Sequence, residues 1–383
     1  MGSWIFGEEH EIFRRSVRQF VEKEVIPHTE KWEENQEIPR WVWRRMGELG
    51  FLGIEYPEEY GGAGADFIST LVLIEEISRC GSMGFPISVT VHTDMASPYL
   101  LLGTEEQKRR YLPEIIKGEK ICAIAVTEPS GGSDVAGIHT YAVRDGKYYI
   151  LNGSKIFITN GISADIYFVV GKVGGINGRA RHKGISIFIV EKGTSGLRIG
   201  RKLSKMGWLC SDTAELFFED CRIPAENLIG QEGEGFSEIM RNFQRERLVI
   251  SIISVSASQK AIEETIAYVR ERVVFDRPLS KLQVIRHRLA DMVTQIEAAR
   301  QLTYYVSWLF SQGKATDKEI SLTKLFTTEV ANRIAYDALQ IHGGYGYMRE
   351  FPIERFYRDV RALTIGAGTS EIMKEIIAKR LEL

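Results

Sequence analysis

The sequence predicts an α+β protein in three parts: a helical N-terminal domain, a middle antiparallel β sheet or small barrel, and a C-terminal four-helix bundle. Apolar residues recur three and four apart in the first third of the chain, as they do in amphipathic helices. Short β-branched and aromatic runs between turn motifs follow, and long helical patterns then return. We expect the domains at residues 1–120, 121–230 and 231–383.

The N-terminal third has the spacing of helices that bury one face. The apolar residues between Phe6 and Val25 fall on one side of a helix. Gly61-Gly62 interrupts the helical pattern further along, since glycine disfavours a helix interior. Additional helices are predicted at residues 41–49, 67–77 and 105–116.

The middle part differs because its apolar runs are short and rich in β-branched and aromatic residues. Asp145-Gly146, Asn152-Gly153 and Asn160-Gly161 are typical of hairpins or turns, which favours an antiparallel arrangement. The stretch from Arg222 to Gly235, with proline and three glycines, is predicted to be a linker. Strands are predicted at residues 141–143, 148–151, 166–170, 185–190 and 216–218.

The chain becomes helical again from Phe236 onward. Ile262, Ile266 and Val269 form one apolar stripe, while Glu263 faces away from it. Similar patterns recur at residues 283–312 and 316–341. Long helices of this kind predict a bundle.

Composition excludes several classes of protein. With 44% hydrophobic and 26% charged residues in 383, the chain has the composition of an ordinary globular protein. The formal net charge of -2 and the scattered basic residues argue against nucleic acid or an anionic membrane as partner. Neither a membrane span nor a secretory signal is expected, so we expect bacterial cytoplasm, or the mitochondrial matrix if a presequence was removed. No metal-ligand spacing is present, and reduced core thiols are expected at Cys80, Cys122, Cys210 and Cys221.

A loop motif, Val-Thr-Glu-Pro-Ser-Gly-Gly-Ser-Asp at residues 126–134, ends an apolar run and breaks it with proline and adjacent glycines. Glycines let the backbone approach a ligand closely. Thr127, Ser133 and the exposed amides can hydrogen-bond a polar planar or anionic partner. A surface turn of a β domain is the alternative interpretation.

A second motif, Phe-Ile-Thr-Asn-Gly at residues 157–161, follows. Together the two motifs resemble the flavin-embracing segment of the acyl-CoA dehydrogenase family, and the resemblance extends through nearly the whole chain. It implies the acyl-CoA dehydrogenase fold, FAD as cofactor, and oxidation of an acyl-CoA thioester to a trans-2-enoyl-CoA. Phe157 stands where many relatives have tryptophan, so an aromatic ring remains to cover the flavin.

The resemblance assigns two groups of residues to FAD. The first lines or covers the flavin ring and comprises Ile124, Val126, Thr127, Ser133, Phe157, Ile158 and Thr159. The second binds the rest of the dinucleotide, partly across a subunit boundary, and comprises Arg272, Phe275, Gln283, Gln340, Gly344, Thr369 and Glu371. Asp276 stands where glycine is common, and His342 is either a packed loop residue or a cofactor contact. Contacts across a boundary imply an oligomer, most often a tetramer.

The reaction needs a base for the weakly acidic α-proton, an acceptor for the β-hydride and hydrogen bonds to the thioester oxygen. No side chain accepts a hydride, so a flavin is required. The C-terminal motif of the family corresponds to Ile-Gly-Ala-Gly-Thr-Ser-Glu at residues 365–371. Several subfamilies carry the catalytic glutamate just before the Gly-Thr pair of this motif, where this chain has Ala367. An alanine cannot take a proton, so the base must lie elsewhere.

Isovaleryl-CoA and long-chain acyl-CoA dehydrogenases carry the glutamate on a helix, and the motif at residues 243–248 is similar. This resemblance assigns the base to Glu246, at the start of a long helix, and burial against the substrate should raise the pKa of Glu246 toward neutrality. The alternative for Glu246 is a solvated helix carboxylate paired with a neighbouring cation. The resemblance also places Ser133, Gln244, Arg247, Ala367 and Gly368 at the substrate, with the Ala367 N–H and a ribityl hydroxyl donating to the thioester carbonyl.

The acyl group and the redox partner are less specified. Small residues at Gly366 and Ala367 open space around the reacting carbons, which suits a branched or a long-chain acyl group. Asp94 resembles the aspartate of alicyclic acyl-CoA dehydrogenases, although a structural role is the alternative. The resemblance implies electron-transfer flavoprotein as acceptor. The competing functions are an acyl-CoA oxidase, a non-catalytic flavin- or CoA-binding scaffold, and a helical interaction protein with no cofactor.

Overall fold

The computed structural model describes residues 4–174 and 182–383 and confirms the predicted order of helical, β and helical parts. The N-terminal helices are α1 (Glu8–Phe20), α2 (Ile26–Asn35), α3 (Arg40–Glu48), α4 (Phe67–Ile77), α5 (Gly84–Thr90) and α6 (Glu105–Ile116). The strands of the middle part are β1 (Cys122–Ala125), β2 (Tyr141–Asp145), β3 (Tyr148–Thr159), β4 (Ile166–Val173), β5 (Ile185–Glu191), β6 (Leu197–Lys202), β7 (Thr213–Pro224) and β8 (Leu228–Ile229). The C-terminal part contains α7 (Gly235–Glu271), the hairpin β9 (Val273–Val274) and β10 (Arg277–Pro278), α8 (Gln283–Ser311), α9 (Asp317–His342), α10 (Pro352–Val360) and α11 (Ser370–Arg380).

Helix α4 joins the N-terminal helices to the C-terminal bundle. The carboxylate of Asp66 caps it by accepting a hydrogen bond from the Ser69 N–H at 2.9 Å, which satisfies a donor of the first turn. Residues on every side of the helix are buried, and it packs against α1, α7 and α8. A continuous apolar core therefore runs from α4 into the bundle.

The sheet has the strand order β6-β7-β3-β2-β4-β5-β8, and β1 pairs with β4. Most pairs are antiparallel as predicted, but β1 and β2 each pair with β4 in parallel. Parallel neighbours need a longer connection than a hairpin, and turn motifs do not report which strands such connections bring together. Along β4, Phe168 and Val170 pack toward the N-terminal helices, whereas Tyr167 and Val169 pack on the opposite face.

Two predictions about this sheet were wrong. Asn152-Gly153 is not a turn, because it lies inside β3, where the register against β7 shifts. Gly153 has φ +144, and a Cβ there would lie 2.5 Å from Thr140 Oγ1, so glycine serves a bulge at this position. Arg222 to Pro224 belong to β7 and are not part of a linker.

The bundle is built on α7, which packs against α8 and α9. The apolar segment Val91–Leu102, a π turn followed by a 3-10 turn, lies against α7, β1 and β8. This junction brings the sheet, the N-terminal part and α7 together at one place. In residues 4–174 and 182–383, no helix has the length and apolarity needed to span a bilayer. Over the same residues, no group of three His, Cys, Asp or Glu side chains could hold a metal ion.

Candidate active site

Glu246 lies on α7 at the junction just described. The helix begins at Gly235, so Glu246 is about three turns into it and not at its start as predicted. Its side chain is buried, with the residue only 7% exposed. Burial raises the pKa of Glu246 to about 8, against the opposing effects of a hydrogen bond from Asn242 and the charge of Arg247. A carboxyl group with this pKa can accept a proton near neutral pH.

The C-terminal loop that contains Ala367 and Gly368 lies beside Arg247, the residue after Glu246 on α7. Arg247 is buried, its Nη1 donates to Gln244 Oε1 at 3.3 Å, and its Nε has no hydrogen-bond partner. A Cβ placed on Gly368 would lie 3.8 Å from this Nε, so the loop and the guanidinium are in contact distance. The structure thus brings together Gln244, Arg247 and Gly368, three of the residues predicted at the substrate. A buried, unpaired guanidinium N–H is available to a polar ligand atom.

The loop backbone is held in an unusual conformation. Ala367 and Gly368 both have positive φ, at 52 and 92 degrees. An alanine rarely adopts this conformation, so neighbouring contacts must maintain it. The ammonium of the buried Lys324 donates to the Gly368 carbonyl at 2.6 Å. Burial, and then the charge of Arg247, lower the pKa of Lys324 to about 8.

Asp94 is held by Arg245 and does not face the site as a free acid. Arg245 Nη2 contacts Asp94 Oδ1 at 2.6 Å and Glu55 Oε1 at 2.5 Å. The hydroxyl of Thr93 donates to the other oxygen, Asp94 Oδ2, at 2.6 Å. Asp94 therefore anchors the Val91–Ala96 turn against α7, which supports the structural interpretation.

The two predicted flavin-ring segments lie side by side. The Ile156 N–H donates to the Thr127 carbonyl at 2.9 Å, which joins the residue 126–134 loop to β3. A Cβ on Gly131 would meet no atom within 4 Å, so the loop leaves open space above its backbone. Phe157, at φ +61, is 65% exposed and is free to cover a planar ligand. Ile158 is buried, Ile124, Val126 and Thr159 are half-buried, and Ser133 is exposed.

A buried ion pair holds this arrangement together. The ammonium of Lys155 donates to Glu128 Oε1 at 2.8 Å and to the Val126 carbonyl at 2.9 Å. Glu128 also accepts the N–H groups of His139 at 2.6 Å and Thr140 at 2.9 Å. Glu128 therefore fastens the loop to Lys155 on β3 and to the backbone just before β2. At neutral pH the pair is charged, since burial lowers the pKa of Lys155 only to about 8.

The second group of predicted FAD residues lies near the β9–β10 hairpin and the end of α9. The Arg272 guanidinium lies 5.1 Å from the Tyr345 ring centre, next to Gly344. Phe275 is 87% exposed, and both Phe275 and Asp276 have positive φ, which glycine would adopt more easily. Gln283, Gln340 and Glu371 are also exposed.

Two further residues of that region have local roles. His342 stacks on Tyr268 with ring centres 4.2 Å apart, and its Nδ1 lies 2.8 Å from the Ala338 carbonyl. The packed interpretation therefore accounts for His342. Thr369 caps α11 by accepting the Ile372 N–H at 3.3 Å.

Sequence reasoning missed Asn242, Lys324, Glu128 and Lys155. The spacing of Asn242, four residues before Glu246, could have shown that the two share a helix face. A lysine within an apolar helical stripe, as at Lys324, could have indicated a buried cation. Apart from Glu246, the partners of these four residues lie on other elements or are backbone atoms, which no local pattern reveals.

A buried glutamate, an adjacent arginine that contacts a constrained loop, a glycine-rich loop and an exposed aromatic ring are features suited to a flavin-linked dehydrogenase. The family models for the N-terminal, middle and C-terminal domains of acyl-CoA dehydrogenase match residues 7–119, 123–221 and 233–382. The chain belongs to the acyl-CoA dehydrogenase family of oxidoreductases.

Individual relatives agree with this assignment. The mitochondrial long-chain specific acyl-CoA dehydrogenase of Mus musculus is 43% identical over 98% of this chain and 87% of its own length. The crystal structure of an acyl-CoA dehydrogenase from Geobacillus kaustophilus matches with a TM-score of 0.97 and 45% identity, covering 100% of both chains. An acyl-CoA dehydrogenase from Bacillus anthracis, solved in complex with FAD, matches with a TM-score of 0.92 and 35% identity over 98% of this chain and 67% of that one.

FAD is the cofactor of this family, and the residues present fit it. The open backbone at Gly131 and the exposed ring of Phe157 provide a cradle and a cover for a planar group. The unpaired Nε of Arg247 and the constrained backbone at Ala367 are features suited to binding a polar substrate group.

Proposed function

We propose that this enzyme oxidises an acyl-CoA thioester to the trans-2-enoyl-CoA, with Glu246 as the base that takes the α-proton. The observation that carries the proposal is Glu246, a buried carboxyl with a pKa of about 8, which precedes Arg247, the residue that contacts the loop at Gly368. The missing carboxylate at Ala367 is thereby replaced from α7. We also propose the domain boundaries 1–120, 121–230 and 231–383, which fall close to changes in secondary structure.

Each candidate residue has its own role in the proposed reaction. Glu246 accepts the α-proton, and a buried environment favours the neutral product of that transfer. The N–H of Ala367 donates to the thioester carbonyl, and Lys324 holds the loop just after Ala367 in place through the Gly368 carbonyl. Arg247 offers its free Nε to a polar substrate atom. Bound FAD supplies the acceptor, at N5, for the β-hydride.

We propose a long straight acyl chain as substrate, with a branched chain as the alternative. The relative from Mus musculus is named long-chain specific. Gly366 and Ala367 leave room around the reacting carbons, which is compatible with either substrate. Electron-transfer flavoprotein as acceptor, and bacterial cytoplasm as location, are proposed from the family resemblance.

We further propose a homotetramer in which a neighbouring chain completes each FAD site. Support comes from the exposed hairpin of Arg272 and Phe275, in which Phe275 is 87% exposed. Apolar side chains are also exposed on the outer helices of the bundle, at Val284, Val293, Tyr305, Leu322, Phe326 and Tyr336. Light scattering coupled to size exclusion measures the mass directly, and a monomer that retains FAD would contradict this proposal.

The test of function is anaerobic bleaching of the visible flavin band by acyl-CoA. Palmitoyl-, octanoyl-, butyryl-, isovaleryl- and cyclohexanecarbonyl-CoA are mixed with wild type, with Glu246→Gln, and with the control Glu271→Gln, an exposed carboxylate on the same helix. We expect palmitoyl-CoA to bleach fastest and Glu246→Gln to be slower by ~10²–10⁴-fold, as for a lost general base. A yellow protein that none of the five bleaches would instead support a non-catalytic scaffold.

A further inference from the structure

Asn242 contacts both Glu246 and the Val91–Ala96 turn. It is one helical turn before Glu246 on α7, and its Nδ2 lies 3.2 Å from Glu246 Oε1. The same nitrogen lies 3.0 Å from the Met95 carbonyl and 3.4 Å from the Asp94 carbonyl. Asn242 therefore links the carboxylate of one element to the backbone of another.

The surroundings fix which end of the amide faces Glu246. One terminal atom of the Asn242 amide is surrounded by three oxygen atoms that accept hydrogen bonds. An amide oxygen at that position would have no proton to donate to them. The nitrogen must therefore occupy that position. Its two protons are directed at Glu246 and at the backbone of the Val91–Ala96 turn.

The turn itself is held by charge. Arg245, also on α7, contacts the buried Asp94 carboxylate and Glu55 at the same time. The carbonyl groups that hold the Asn242 amide are thus fixed relative to α7. An amide with a fixed backbone anchor restricts the carboxylate that it contacts, because rotation of Glu246 would break the hydrogen bond.

We propose that Asn242 is a positioning residue for Glu246, holding Oε1 against the Val91–Ala96 turn so that Oε2 is left to take the substrate proton. In residues 4–174 and 182–383, the only hydrogen bond that the structure gives Glu246 through its side chain is the one from Asn242. The inference rests on the proposed role of Glu246. It assigns Asp94 and Arg245 an indirect part, since they anchor the turn to which Asn242 is attached.

A positioning hydrogen bond to an ionised carboxylate also favours its charged form. Removing the amide should therefore raise the pKa of Glu246 above its value of about 8. The groups facing Glu246 from other elements are the Tyr99 hydroxyl and, beyond Asn242, the Asp94–Arg245 pair. Arg247 faces it from α7 itself, and Lys324 on α9 faces Arg247.

The experiment uses the FAD-loaded protein with Asn242→Leu, which keeps the approximate size but removes the donor, and Asn242→Asp, which keeps the shape. Ser254→Ala, which deletes a buried hydrogen bond two turns beyond Glu246 on α7, is the matched control. Two quantities are measured against pH. The first is kcat/KM for bleaching by palmitoyl-CoA. The second is the infrared band of the protonated carboxyl, taken as the difference between each protein and the same protein that also carries Glu246→Gln. The infrared difference isolates Glu246 from Lys324, whose pKa of about 8 lies in the same range.

We expect the infrared midpoint of Asn242→Leu to rise by about one pH unit, the size expected for one lost hydrogen bond to a charged group. Near neutral pH kcat/KM should then fall about tenfold, and it should recover as the pH is raised. Asn242→Asp should shift the midpoint at least as far, because a second carboxylate replaces the donor. If Asn242→Leu does not fold, Asn242→Asp provides the test. Ser254→Ala should keep the wild-type midpoint.

An unchanged midpoint in a folded Asn242→Leu or Asn242→Asp protein would overturn the inference, whatever happens to the rate. Failure of the proposed function has a different signature. In that case Glu246→Gln would bleach at the wild-type rate, while the effect of Asn242 on the Glu246 midpoint would still be measurable.

Discussion

The first prediction concerns the buried ion pair of Lys155 and Glu128, which holds the loop at residues 126–134. Both side chains are almost completely buried, at 0% and 3% exposure, and they make four hydrogen-bonded contacts with each other and with the backbone around the loop. Lys155→Met leaves Glu128 buried with only backbone donors. Removing one partner of such a pair costs ~3–5 kcal/mol, because the remaining charge is uncompensated. We expect a loss of stability of this size and a much weaker hold on FAD.

The assay combines urea unfolding with the fraction of FAD retained after gel filtration. The double variant Lys155→Met/Glu128→Gln removes both charges, so it should recover a large part of the lost free energy of unfolding. FAD retention should recover less, because the loop still lacks the Lys155 bond to the Val126 carbonyl. If Lys155→Met unfolds within about 1 kcal/mol of wild type and keeps its FAD, the pair does not hold the loop and this reasoning is wrong.

Other parts of the structure give three further predictions. Burial raises the pKa of Glu246 to about 8, so kcat/KM should rise with pH up to that value and then level, which a pH-rate profile measures. Lys324→Met should lower kcat/KM about ten- to hundredfold with little change in FAD content, because the loop just after Ala367 loses a charged hydrogen-bond donor; unchanged steady-state kinetics would contradict this role. Burial, and then Glu33, raise the pKa of Asp359 to about 7, above the value of 3.8 for a free carboxyl, so the fold favours its protonated form. Its contribution to stability is therefore full below about pH 4 and is lost as pH rises toward 7, and Asp359→Asn should flatten that slope in urea unfolding.

Elements with strong periodicity could be predicted from the sequence. Helix α4 spans Phe67–Ile77, the range expected, because a capping aspartate precedes a continuous apolar run. The strands β3 and β7 were predicted too short, since β3 continues through a bulge at Gly153 and includes the buried Lys155. Local alternation cannot show that a polar residue will be neutralised by a partner far along the chain.

The candidate site could also be predicted only in part from the sequence. The position of Glu246 followed from a motif resemblance, and its burial and raised pKa are what a base requires. Asn242 could not be assigned a role, because two of its acceptors, the backbone carbonyls of Asp94 and Met95, come from another part of the chain. The roles of the predicted FAD and substrate residues remain predictions.

The most direct test of the central claim is a single-turnover bleaching experiment with palmitoyl-CoA, either unlabelled or deuterated at the α carbon. If Glu246 takes the α-proton, wild type and Glu271→Gln bleach at equal rates and both slow on deuteration, whereas Glu246→Gln is slower by ~10²–10⁴-fold. If Glu246→Gln bleaches as fast as Glu271→Gln, another group removes the proton and the assignment of Glu246 is wrong.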